Sequence, residues 1–138
     1  MYIHPTFFEV KMAVFHKHLL VNATVSRPLA SKESCEKWLG DLVELIDMKV
    51  LIEPTAKYCD TPGNEGITGA VIIETSHISV HVWDKAQPPY IRMDVYSCKE
   101  FDQQSVLDYL ETTMGVYNCN WAVIDRNDDM MLKELGSR

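Results

Sequence analysis

Residues 75–83, T-S-H-I-S-V-H-V-W, concentrate side chains that can move protons or act as nucleophiles. In an extended conformation, successive side chains point to opposite faces. Ile78, Val80 and Val82 then share one face, and His77, Ser79, His81 and Trp83 share the other. Such alternation is common on the wet side of a half-buried sheet. Two imidazoles and two hydroxyls on one strip also make a chemically equipped surface. A metal held by His77 and His81 is one chemistry to consider. No carboxylate or cysteine completes that set at close spacing, so no metal is expected.

The elements around this run must position it. Residues 13–25, apolar and β-branched, predict a strand that ends before Pro28. Ser31 can cap a helix whose inner face is Cys35, Trp38, Leu39, Leu42, Leu45 and Ile46. Residues 50–52 predict a short strand stopped by Pro54. Residues 59–66, C-D-T-P-G-N-E-G, carry turn chemistry. A strand-rich stretch follows over 69–83, and another strand over 90–98. Asp102 can cap a second helix with Val106, Leu107, Leu110 and Met114 inside. A last strand is expected near 120–125, and the tail reads as a short helix or a frayed end. Few helices among many strands predict an α+β two-layer sandwich, an antiparallel sheet with helices on one face. The other face is then wet or covered by a partner.

Length suits a single domain over 1–138. Apolar residues are 46% and charged residues 24% of the chain, which is ordinary for a globular protein. The net charge of −7 disfavours nucleic acid and suits a cationic small molecule, although acidity often serves solubility alone. No stretch has the length of a membrane span, and the first residues lack a secretory pattern. Cys35, Cys59, Cys98 and Cys119 form no C-x-x-C pair. Free thiols in a reducing cytoplasm are expected.

Residues 66–83, G-I-T-G-A-V-I-I-E-T-S-H-I-S-V-H-V-W, resemble the processing segment of bacterial and archaeal S-adenosylmethionine decarboxylases. That segment reads roughly G-x-[ST]-G, an apolar strand, then E-S-H-x-S-x-H-x-W. Asp94 to Cys98, D-V-Y-S-C, is similar to the family's D-V-[FY]-[ST]-C. His18 to Asn22, H-L-L-V-N, is similar to its H-L-L-V-D. The resemblance implies roles. Ser76 attacks the carbonyl of Thr75, the peptide becomes an ester, elimination splits the chain, and the serine remnant becomes a pyruvoyl group. His81 corresponds to the processing base and Thr68 to a hydroxyl that assists. A neutral imidazole suits proton transfer near neutral pH. The pyruvoyl ketone is an electron sink that forms a Schiff base with the substrate amine as carbon dioxide leaves. Cys98 corresponds to the proton donor; from composition alone it reads as a buried strand-end cysteine. Tyr58, Glu74 and His77 are the implied substrate contacts, Tyr58 as an aromatic stacked on adenine.

The chain departs from the family pattern at Thr75, where the family has glutamate, at Asn22, and in an insertion at 86–89. A cleavage between Thr75 and Ser76 needs a carbonyl and not a carboxylate, so Thr75 does not forbid it, although its β-branch crowds the attacked carbon. The implied product is the aminopropyl donor for polyamine (spermidine) synthesis, and a sulfonium substrate suits an acidic protein with aromatic residues. Two alternatives stay open. One is the same chemistry on arginine or ornithine, and the other is a non-cleaving homologue that binds a ligand or partner. A homodimer is expected, with Ser76 and His81 near its interface.

Overall fold

The computed structural model describes residues 16–138. Its elements, in chain order, are β1 (Lys17–Val25), α1 (Lys32–Leu45), β2 (Val50–Cys59), β3 (Gly66–Ile73), β4 (Ser76–Trp83), β5 (Tyr90–Ser97), α2 (Gln103–Met114), β6 (Val116–Asp125) and β7 (Met131–Ser137). The strands form one sheet in the order β2-β3-β4-β5-β1-β6-β7, and every neighbouring pair is antiparallel. This is the expected α+β sandwich. Among the described residues no helix is long and apolar enough to cross a membrane.

Period-two alternation decides which face is covered. Leu19, Val21 and Ala23 of β1, Ile78, Val80 and Val82 of β4, and Ile91, Met93 and Val95 of β5 are all buried in one core with the helices. Ser31 caps α1, its Oγ accepting the Ser34 N–H at 3.1 Å. Asp102 caps α2 by accepting the Gln104 N–H at 3.1 Å. The helices are tied together by polar bonds from Trp38 Nε1 to Thr113 Oγ1 at 2.8 Å and from the Tyr109 hydroxyl to Trp38 O at 2.7 Å.

The α2 face matches its prediction residue for residue, Val106, Leu107, Leu110 and Met114 all being buried. On α1, Val43 takes the inward position expected of Leu45, which is 51% exposed at the last turn. Pro54 does not end β2. It sits where the register slips between Ile52 and Thr55, on an edge strand where a missing N–H costs no ladder bond. The 69–83 stretch divides into β3 and β4 around a two-residue turn at Glu74 and Thr75. The tail is a strand, not a helix. Its Met, Leu, Lys and Glu favour a helix, but pairing with β6 overrides that preference, with Trp121 Nε1 donating to Glu134 Oε2 at 2.7 Å. Of the strand predicted over 13–25, residues 13–15 lie outside the described residues.

Candidate active site

The uncovered face of the sheet is read in rows set by strand register. One row runs Thr68, His81, Arg92, Asn22 across β3, β4, β5 and β1. The next runs Ala70, Ser79, Asp94, Leu20, and the third Ile72, His77, Tyr96, His18. A cleft of about 220 Å³ opens on this face beside Ser79, His81, Arg92 and Asp94.

Ser76 opens β4 immediately after the turn. Its φ is +148°, a conformation that residues with a side chain rarely adopt and that stores strain. The carbonyl of Thr75, on the bond that joins it to Ser76, accepts the Cys98 N–H at 2.9 Å. An amide hydrogen bond at that oxygen polarises the carbonyl and steadies the negative charge that nucleophilic attack would place on it. Glu74, exposed in the turn, donates its N–H to Lys49 O at 2.9 Å. Cys98 is exposed, not buried as composition alone suggests, because it lies one residue beyond β5. All four cysteines are free.

Thr68 and His81 meet at the other end of β4. They are direct cross-strand partners, with Thr68 Oγ1 3.2 Å from His81 Nδ1. The glycines of G-I-T-G explain this placement. A Cβ on Gly66 would lie 1.6 Å from the Val82 carbonyl oxygen, and one on Gly69 would lie 2.6 Å from Cys35 Sγ. Any side chain at either position would push β3 off β4 or off α1. His81 is five residues from Ser76 on an unbroken strand, a separation of about 17 Å at ~3.3 Å per residue. Within one chain the structure therefore gathers Thr75, Ser76 and Cys98 at one end and Thr68 and His81 at the other.

Between them stands Asp94, which the motif contains but to which sequence reasoning gives no role. Burial pushes its carboxyl up, but hydrogen bonds from His18, Ser79 and His77 outweigh that and hold it at about 2. His18 Nε2 is 2.7 Å from Asp94 Oδ2, and His77 Nε2 is 3.2 Å from the same oxygen. Ser79 Oγ donates to Oδ1. Arg126 Nη1 lies 3.2 Å from His18 Nδ1. A guanidinium can only donate, so His18 Nδ1 accepts and its Nε2 carries the proton given to Asp94. The donor atoms of His18, His77 and Asp94 fall within 4.8 Å of one another. A metal would need the His18 Nε2 lone pair, and the Arg126 contact directs that nitrogen to hydrogen bonding instead. His77 and His81 are four residues apart on β4, about 13 Å, and so cannot share an ion within one chain. His18 and Asp94 fall in the two shorter motif matches, and only cross-strand register reveals that they meet.

Tyr58 is brought to neither end of this face. Its ring packs against the core from β2, beside the buried Ile67. Its hydroxyl donates to Asp84 Oδ1 at 2.8 Å, and that bond, with burial second, pushes it up to about 12.

A model of the family described as S-adenosylmethionine decarboxylase matches residues 17–127. A Clostridium botulinum protein named S-adenosylmethionine decarboxylase proenzyme is 29% identical over 87 residues, covering 62% of this chain and 70% of its own. A Methanococcus maripaludis protein of the same name is 29% identical over 86 residues, covering 61% of this chain and 66% of its own. The matched span takes in β1 through β6, and with them every residue of the rows and of the strained turn. The chain belongs to the S-adenosylmethionine decarboxylase family.

Proposed function

We propose that this chain, as one domain, decarboxylates S-adenosylmethionine after cutting itself between Thr75 and Ser76. The observation that carries the reading is the Thr75–Ser76 peptide itself. Its carbonyl is held by the Cys98 N–H at 2.9 Å, and the residue that follows is a serine at φ +148°. A strained peptide with a polarised carbonyl and an adjacent hydroxyl is arranged for an acyl shift. The Ser76 Oγ–C(Thr75) bond forms, the C–N bond breaks, and the hydroxyl proton ends on the freed Ser76 nitrogen. Loss of the Ser76 α-proton then expels Thr75 as a carboxylate. Tautomerisation and water release ammonia and leave the ketone of a pyruvoyl group.

That group supplies an electron sink for decarboxylation. Cys98, exposed and hydrogen-bonded through its N–H to the carbonyl at the cut, is the residue to return a proton to the substrate carbon. Glu74 and His77 flank the cut and are the nearest implied substrate contacts, whereas Tyr58 lacks a path to Ser76 in the same chain. The distance from His81 to Ser76 supports a homodimer, in which the Thr68–His81 pair of one copy serves the Ser76 of its partner across the uncovered sheet face. The protein is expected to work in the cytoplasm, with free thiols.

Intact mass and carbon dioxide release test the reading. Wild-type chain is expected to give two fragments, the larger from the N-terminus, and Ser76→Ala to stay whole. The cleaved protein is expected to release carbon dioxide from S-adenosylmethionine in preference to arginine or ornithine. A wild-type chain that stays whole after long incubation removes the pyruvoyl reading and leaves a binding protein.

A further inference from the structure

Two hydroxyls sit beside the bond assigned to cleavage, and the chemistry above uses neither. Ser97 ends β5 and is fully buried at 0% exposure. It continues the parity of Ile91, Met93 and Val95, all of which face the core. A hydroxyl in such a position is costly unless it is hydrogen-bonded. Its nearer acceptor is Thr75, with Ser97 Oγ 2.9 Å from Thr75 Oγ1, and Met48 Sδ lies further off at 3.7 Å.

The shortest of these bonds run in one consistent direction. The Lys99 N–H donates to Ser97 Oγ at 2.9 Å. Ser97 then gives its own proton to Thr75 Oγ1, and Thr75 gives its proton to Met48 Sδ at 3.3 Å. The next residue, Cys98, donates its N–H to the Thr75 carbonyl at 2.9 Å. Consecutive residues thus grip residue 75 at two points, its side chain and its carbonyl oxygen. One bond alone would let the carbonyl swing about it, and two bonds on one residue do not. From the other side, Lys49 O holds the Glu74 N–H at 2.9 Å.

We propose that the buried Ser97 and the half-buried Thr75 form a latch, and that Ser97 is a positioning residue for self-cleavage. The latch keeps the Thr75 carbonyl against the Cys98 N–H while Ser76 attacks. Thr75, which departs from the family's glutamate, is then a residue with a made-to-measure partner. This inference rests on the reading that the chain cuts itself at Ser76.

The test follows full-length chain into fragments after cell-free synthesis, by intact mass over time. Ser97→Ala and Thr75→Val each lose the same hydrogen bond, and each is expected to slow cleavage by about tenfold or more. The double variant is expected to be no slower than the worse single one, since both break one latch. Ser97→Thr and Thr75→Ser retain a hydroxyl and are expected to recover most of the rate. Hydroxylamine attacks an ester, so it is expected to leave the slow variants slow, because their defect precedes the ester. Ser97→Ala cleaving at the wild-type rate would overturn the latch, as would rescue of that variant by hydroxylamine. If Ser97→Ala loses its folded circular dichroism spectrum, Thr75→Val against Thr75→Ser decides, and equal rates overturn the proposal. Wild-type chain that never cleaves overturns the cleavage reading and the latch together. Wild-type cleavage with unaffected variants overturns the latch alone.

Discussion

The two ends of β4 are built in different ways. At the Ser76 end, backbone amides and a pair of hydroxyls, one of them fully buried, fix a strained peptide from several sides. At the His81 end, a histidine and a threonine meet across two strands, exposed on the uncovered face beside Trp83 and Arg92. The first end is set rigidly by its own chain. The second carries proton-transfer groups with nothing of its own chain to act on. Backbone holds the geometry of the first end, whereas the second presents open side chains on an uncovered face.

The largest effect expected is on mixed dimers. Ser76→Ala and His81→Ala chains should each stay whole, or nearly so, when made alone. Made together, they should form some dimers in which the Ser76→Ala copy lends His81 to the other, so that only the His81→Ala chain is cut. Fragment masses distinguish the two chains. No cleavage in the mixture would mean that His81 acts within its own chain, against the separation along β4.

Cys98→Ala comes next, and it separates the roles within the Ser76 end. In the proposed reading Cys98 serves cleavage through its backbone N–H, which alanine keeps, so fragments should form. If its thiol returns the proton, as proposed, carbon dioxide release should fall about a hundredfold to ten-thousandfold. Wild-type turnover by this variant would leave Cys98 only its backbone role.

The smallest expected effect concerns Asp94, midway between the ends. Its folded carboxyl is held at about 2, below the ordinary unfolded value of about 3.9. A depressed carboxyl contributes stability that is fully present above about pH 4 and is lost as the pH falls towards 2. The contribution is on the order of 2 kcal/mol. Urea midpoints for wild type and Asp94→Asn should differ most above pH 4 and converge near pH 2. A constant gap across that range would mean the charge is not what is being lost.

Sequence reading picked out the residues of both ends but not their separation. Ser76, Thr68, His81 and Cys98 are all legible in short stretches, because each falls within a motif of a few consecutive residues. Which of them meet depends on strand register, a long-range property that local periodicity does not contain. Asp94 was visible as a letter in a motif, but its three donors come from β1 and β4. The fold followed apolar spacing closely, α2 above all. It escaped at β7, whose residues prefer a helix, and at Pro54, which is harmless only because β2 is an edge.

The strand order has one more consequence. A cut after Thr75 leaves β1, α1, β2 and β3 in one piece and β4 to β7 with α2 in the other. In the sheet, however, β1 lies between β5 and β6, so the smaller-numbered piece is threaded through the middle of the other. The two pieces cannot drift apart without breaking both ladders that flank β1 as well as the one between β3 and β4. A mature molecule would therefore persist as an interleaved pair with no covalent link to lose. Once fully unfolded, it would face a bimolecular encounter to re-form, where the uncut chain needed only to close loops. For a chain that cuts itself, folding would have to come first, and the cut would make it a thing done once.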